Sequence, residues 1–498
     1  MISLRNVCFQ YNETHRLLQH INLKIEEGEF VVLTGPSGSG KTTLSRIING
    51  LIPYFYEGTL SGDVNIKNQD LKDMPIWQIS QSIGSVFQDP KAQFFTSIVK
   101  DELAFELENY GLDRSFIHHR LDEVCKQMNI VHMKDNLLHT LSSGQKQNVA
   151  IAAATTMEPD IYVMDEPSAN LDINATDTLK KQLIHLKNRG KTIVIAEHRL
   201  YYLMDLADRI MYMKNGRIEQ ILNPQELMHF SHEKLKNLGL RSPSLTAGYS
   251  PRNEEQNPIR DTAVDIRKLF VRHKRKKTPT IKGIDLSLKL GEVCALIGEN
   301  GVGKTTLART IAGLTQEKTG EIYVFGQREK ARQRLKKVWF VMQDTVYQLF
   351  TDSVWNELLL GHERSLENKQ QAEQLLKMLE LWSLKEQHPA TLSGGQKQRL
   401  VLAVGLMQNA NIFILDEPTS GLDGSNLQRV ISVIQKLKQR NCHVLIITHD
   451  HELVAGVCQR IIKLEDGKIS QNILTASLDC KDMIQIMTKK EAHICRHQ

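Results

Sequence analysis

Nowhere in its 498 residues does the chain run 18 apolar residues together. No segment is therefore expected to cross a bilayer as a helix, and any membrane role must come through partner subunits. Cysteine is sparse: seven residues, an odd number, scattered without a C-x-x-C pair. That excludes a disulfide framework and reads as reduced thiols in a cytoplasmic protein. The start, Met1-Ile2-Ser3-Leu4-Arg5, lacks the signal-peptide pattern and leads straight into a predicted strand. An excess of charge of one sign is nearly absent too. Lys plus Arg number 63 against 57 Asp plus Glu, a net +6, so no nucleic-acid partner is expected. The one dense basic run, Arg272-His273-Lys274-Arg275-Lys276-Lys277, reads as a solvated loop. What remains, 41% hydrophobic and 24% charged, is an ordinary globular composition with length for two or more domains.

One stretch organises the rest. Gly35-Pro36-Ser37-Gly38-Ser39-Gly40-Lys41-Thr42-Thr43 fits G-x-x-x-x-G-K-[ST]. It follows a strand-like Phe30-Val31-Val32-Leu33 and opens a helical pattern running to Asn49. Glycines let backbone N–H groups turn inward around phosphates, and the helix N-terminus adds partial positive charge. Lys41 is placed to reach the β- and γ-phosphates and the Thr42 hydroxyl to hold Mg²⁺. The same form recurs as Gly298-Glu299-Asn300-Gly301-Val302-Gly303-Lys304-Thr305-Thr306, after Val293-Cys294-Ala295-Leu296-Ile297. A repeat this long marks two copies of a domain rather than a solenoid.

In the first copy, Ile2 to Ile25 alternate as a small antiparallel β region carrying Tyr11. That ring could stack on a purine base or lie as an ordinary β-surface tyrosine. A strand over Ile83–Phe87 ends at Gln88, whose amide could touch Mg²⁺ or the attacking water. Val99 to Leu141 reads as mostly helical. Leu141-Ser142-Ser143-Gly144-Gln145 precedes another helix, as an anion site or a plain N-cap. The buried strand Ile161–Met164 ends in Asp165-Glu166-Pro167. Asp165 suits Mg²⁺ and Glu166 suits polarising a water for attack on phosphorus. Thr192–Ala196 then delivers His198 to the same sheet edge, where ligands of open α/β sheets collect. The second copy repeats the order with Gln343, Ser393-Gly394-Gly395-Gln396, Asp416-Glu417 and His449. Ser142, Asp165 and His198 each recur at one constant offset. Tyr11 is matched there only by His273. Residues 1–222 are read as the first domain, 223–260 as a short helix (Pro224 to Leu238) and a flexible linker, and 261–498 as the second domain with a C-terminal tail.

Each half resembles an ATP-binding cassette (ABC) ATPase. Lys41 and Lys304 match the Walker A lysine, and Gln88 and Gln343 the Q-loop. The segments 141–145 and 392–396 match the LSGGQ signature, Asp165-Glu166 and Asp416-Glu417 Walker B with its catalytic glutamate, and His198 and His449 the switch histidine. The resemblance implies two P-loop NTPase domains in tandem, each a RecA-like α/β core with an antiparallel β subdomain and a helical subdomain. It implies ATP and Mg²⁺ as cofactors, with Thr42, Gln88, Asp165, Thr305, Gln343 and Asp416 around the metal. It also implies a pseudo-dimer within one chain, each ATP gripped by one half's Walker A and the other half's signature. Ser143 departs from the glycine usual in the motif, so the site it serves is expected to be the slower one.

The segments after the Q-loops, Gln93-Phe94-Phe95 with Val99–Phe105 and Gln348-Leu349-Phe350 with Val354–Leu359, resemble those of energy-coupling-factor (ECF) importer ATPases. That implies a peripheral protein on the cytoplasmic face of a bacterial membrane. Its partners would be a transmembrane coupling subunit and a separate substrate-binding membrane subunit, importing a vitamin-like compound or metal ion. Phe94, Phe95, Leu349 and Phe350 would line the docking grooves or, in the plainer reading, belong to the core. The alternatives are a fused sugar-import ATPase and a soluble cassette protein acting on ribosomes or DNA. The first often has one degenerate catalytic half, and the second a long charged linker; neither feature occurs in this chain.

Overall fold

A computed structural model describes residues 1–11, 17–245, 261–272 and 278–488. His273, the rest of the basic run to Lys277, and the linker residues Gly248, Pro251 and Pro258 lie outside the described residues. The chain divides into two compact units, Met1–Ala247 with Asp423–Ser425, and Gly248–Leu422 with Asn426–Gln498.

Each unit holds a four-stranded antiparallel sheet and a six-stranded, largely parallel one. In the first unit the small sheet runs in the order Leu18–Ile25, Ile2–Gln10, Thr59–Ile66, Gln69–Asp70. The large sheet runs Arg217–Leu222, Arg209–Lys214, Phe30–Thr34, Thr192–Ala196, Ile161–Asp165, Ile83–Val86. The second unit repeats both orders. The phosphate-loop strands are apolar from Phe30 to Leu33 and from Val293 to Ile297 because both of their faces are covered. Phe30 and Val32 enter one core, with the helices that follow Val99, while Val31 and Leu33 enter another under the antiparallel sheet. Val293 and Ala295 divide from Cys294 and Leu296 in the same way. Side chains that alternate across a strand thus weld each phosphate-loop strand to two cores.

The helical stretch expected over Val99–Leu141 resolves into helices Val99–Asn109 and Arg114–Gln127 plus short 3-10 turns. The single helix expected from Pro224 to Leu238 is two, Pro224–Met228 and His232–Leu238. The break has a local cause: the Ser231 hydroxyl accepts from Lys234 N and starts a new N-terminus. Leu227, Leu235 and Leu240 are buried in the core of the first unit.

Candidate active sites

In the first half the parallel strands Phe30–Thr34, Ile161–Asp165 and Thr192–Ala196 bring the phosphate loop, Asp165-Glu166 and His198 to their carboxyl ends. The loop 35–40 leaves Phe30–Thr34 and enters helix Lys41–Ile48. Lys41 is buried, and its ammonium donates to Gly35 O at 2.9 Å and Pro36 O at 3.0 Å. Burial lowers its pKa, opposed by the charges of Glu166 and Asp165. The Thr42 hydroxyl donates to Asp165 Oδ1 at 3.1 Å. Asp165 is raised to about 6, first by burial and then by the charge of Glu166. Burial raises Asp416 as well. Carboxylates so deprived of solvent fit a divalent cation, which would favour their charged form. The Ser39 hydroxyl is buried without a protein partner, a donor left over for an anion. Val302 stands in its place in the second half.

Glu166 is touched from two sides. Gln88 Nε2 donates to its Oε2 at 2.8 Å, and His198 Nε2 lies 3.4 Å from its Oε1. In the second half His449 Nε2 lies 3.5 Å from Glu417 Oε1 and 3.0 Å from Lys304 Nζ. Lys304 Nζ also donates to Gly298 O and Glu299 O. Both glutamates have left-handed backbone, φ 43° and 49°, which a non-glycine residue adopts at a cost. Their amides hold the strand ends: Glu166 N donates to Ala196 O at 2.8 Å and Glu417 N to Ile447 O at 2.9 Å. Nothing in the sequence pattern signalled this strain.

Ser142 and Ser393 each form a capping box with Gln145 and Gln396 at the head of helices Ser143–Thr155 and Gly394–Met407. A Cβ on Gly144 would meet Ala175 Cβ at 2.7 Å. One on Gly394 would meet nothing within 4 Å, so within its own half that position, filled by Ser143 in copy one, has room for a side chain. Tyr11 is half-buried, edge-on to Phe9 at 4.7 Å, and its hydroxyl accepts from Arg46 Nη1 at 3.2 Å.

The loop after each Q-loop glutamine is built alike in the two halves. Gln93 accepts from Phe87 N and donates to Ser85 O, and Gln348 does the same with Met342 N and Phe340 O. The buried Glu102 carboxylate accepts from Phe95 N, Thr96 N and Thr96 Oγ1. Glu357 accepts from Phe350 N, Thr351 N and Thr351 Oγ1. Sequence reading missed these clasps, although Glu102 and Glu357 sit at matching places in the paired segments. Of the four residues expected in docking grooves or core, Phe94 and Leu349 pack against the cores. Phe95 and Phe350 are each 76% exposed.

At the opposite, amino-terminal strand edge, each half has an ion pair: Arg209 with Glu29, and Arg460 with Glu292 at 2.6 Å. In the second half Cys294 and His443 join it, the one cluster of three metal-ligand types among the described residues. Arg460 already supplies the positive charge there, and burial raises the Cys294 thiol. Burial pushes His443 down to about 4, while its Nδ1 hydrogen bond to Lys289 O at 2.8 Å opposes that shift. The unfolded chain therefore takes up the proton first. This stability is whole above pH ~6.5 and is lost as pH falls toward 4, on the order of 3 kcal/mol in all. His443→Thr, the residue at Thr192 in the first half, should flatten the acid limb of urea unfolding between those pH values.

A family model described as "ABC transporter" matches residues 18–169 and 281–420. A Treponema denticola protein, "Putative ABC transporter ATP-binding protein", is 40% identical over 95% of this chain and 96% of its own length. "Putative HMP/thiamine import ATP-binding protein YkoD" of Bacillus subtilis is 31% identical over 94% of this chain and 90% of its own. Among solved structures, "Model of ribosome-bound archaeal Pelota and ABCE1" covers 94% of this chain and 79% of its own at TM-score 0.68 and 23% identity, a likeness of fold.

Proposed function

Because the chain belongs to the ABC transporter family, whose ATP-binding proteins hydrolyse ATP with Mg²⁺, we propose that it drives a membrane importer of the ECF type. Lys41, Ser39 and the loop amides bind phosphate in the first half, and Lys304 with its loop does so in the second. Thr42 with Asp165, and Thr305 with Asp416, hold Mg²⁺; the cation supplies charge neutralisation on the phosphates. Glu166 and Glu417 take the proton of the attacking water. Gln88, Gln343, His198 and His449 orient the two carboxylates and the γ-phosphate. In this reading each nucleotide meets the phosphate loop of one half and the signature segment of the other. Ser143→Gly should then raise steady-state ATP turnover about two- to fivefold, because a small side chain is removed from the γ-phosphate contact; unchanged turnover removes the idea that this site is the slower one.

One observation carries the importer reading. Phe95 and Phe350 stand out into solvent at equivalent positions, each on a loop held by a buried glutamate beside the Q-loop. Single exposed apolar residues are common, but a matched pair on matched rigid loops calls for partners with apolar surface. No helix among the described residues is long and apolar enough to cross a membrane, so the translocation path would belong to those partners. The relative named for HMP/thiamine import supports a vitamin-like cargo. Affinity purification from detergent-solubilised membranes tests this. Integral membrane subunits should co-purify with the wild type and be lost with Phe95→Ala plus Phe350→Ala, while ATP binding persists. Ribosomal RNA or DNA in their place would refute the importer.

A further inference from the structure

The strand that ends at each candidate histidine differs in one telling way between the halves. The first reads Ala196-Glu197-His198-Arg199 and the second Ile447-Thr448-His449-Asp450. A buried carboxylate precedes the histidine in one half and follows it in the other. Both carboxylates reach the same place.

In the first half, Glu197 Oε2 accepts from Ser168 Oγ at 2.7 Å, Ser168 N at 3.3 Å and Tyr202 OH at 2.8 Å. Its Oε1 accepts from His198 N at 2.7 Å and Arg199 N at 3.1 Å. Arg199 Nη1 donates to Ser168 O and Leu171 O. In the second half, Thr419 Oγ1, at the position of Ser168, donates to Asp450 Oδ2 at 2.6 Å. Asp450 Oδ1 caps the next helix by accepting from Glu452 N and Leu453 N. Asp450 N donates to Thr448 Oγ1 at 3.0 Å.

Ser168 and Thr419 lie two residues after Glu166 and Glu417. Each carboxylate therefore ties the turn behind the glutamate to the segment that presents the histidine. A buried carboxylate is costly unless fully hydrogen-bonded, and here it is bonded by hydroxyls and amides from both segments. We propose that Glu197 and Asp450 are positioning residues: they fix the His198–Glu166 and His449–Glu417 separations, which lie at 3.4 and 3.5 Å. The same function is reached by two arrangements of residues. This rests on the roles given above to the glutamates and histidines.

The test uses the full-length protein. Glu197→Gln with Asp450→Asn weakens both clasps without changing side-chain size. ATP kcat should fall about tenfold or more, with KM for ATP within about twofold of wild type, because small misplacements at a reacting centre act on turnover. Writing the second half's arrangement into the first, as Glu197→Thr, Arg199→Asp and Tyr202→Leu together, should return kcat to within about twofold of wild type. A role confined to stability would instead lower the melting temperature and leave kcat per nucleotide-binding site unchanged. A folded Gln/Asn variant with wild-type kcat overturns the proposal, as does a folded triple variant that loses as much kcat. Should the Gln/Asn variant fail to fold, Ser168→Ala with Thr419→Ala decides, with a severalfold fall in kcat expected and wild-type kcat counting against. If Glu166→Gln with Glu417→Gln keeps hydrolysing, the glutamate assignment itself fails; if that pair is dead while the clasp variants are not, only this inference does.

Discussion

With Glu166→Gln and Glu417→Gln combined, ATP hydrolysis should drop by a hundredfold or more while ATP affinity stays within a few-fold of wild type. The amide has the carboxylate's size but cannot accept a proton, and general-base help is worth about 10²–10⁴ in rate. The backbone that aims each side chain is unaffected, since Glu166 N is held by Ala196 O and Glu417 N by Ile447 O. The phosphate-binding groups keep their own anchors: Lys41 donates to Gly35 O and Pro36 O, bonds that do not involve the glutamate side chain. Phosphate release and equilibrium binding of a fluorescent nucleotide, measured on the same preparation, separate the two effects. Full hydrolysis in the double variant would remove both residues from the role of base.

Gly35→Ala or Gly298→Ala should unfold the half that carries it, or cost it about 3 kcal/mol or more and its nucleotide binding. The backbone there has φ 143° and 147°. A Cβ on Gly35 would lie 2.0 Å from Met213 O, and one on Gly298 would lie 2.3 Å from Leu464 O. Both obstacles are main-chain atoms of a neighbouring parallel strand, which cannot move aside without breaking sheet hydrogen bonds. Gly38 and Gly301 supply the contrast. Their φ angles are 78° and 86°, yet a Cβ would meet nothing within 4 Å. Alanine there costs only the left-handed backbone, about 1–2 kcal/mol. Urea unfolding should therefore rank the four variants in two pairs. Equal losses at Gly35 and Gly38 would mean that crowding against Met213 is not what demands the first glycine.

Much of this was legible in the chain. The phosphate-loop glycines, the strand-end Asp-Glu pairs and the histidines announce themselves because short-range geometry requires those residue types in that order. The two copies then supply their own check. What stayed hidden depends on distant residues. The left-handed backbone at Glu166 and Glu417 accompanies an N–H hydrogen bond to a strand about thirty residues further on. The clasp by Glu102 looks in sequence like any acidic residue in a helix's first turn. Glu197 and Asp450 do not align between the copies, so a search for repeated landmarks passes over them. The fate of Phe94 against Phe95 was undecidable from pattern, because adjacent residues of a loop can face either way. The break at Ser231 needed the cap geometry to be seen.

The Gln93 side chain is a small bolt with a mechanical meaning. It is fastened to Phe87 N and Ser85 O on the strand that leads to Gln88, and to Ala150 O in the helix that the signature segment begins. Glu102 pins the other end of the same loop. A load applied at the Phe95 ring is thus not absorbed by a slack tether. Under the importer reading, a partner seated there would press on a loop tied both to the strand before Gln88 and to the signature helix.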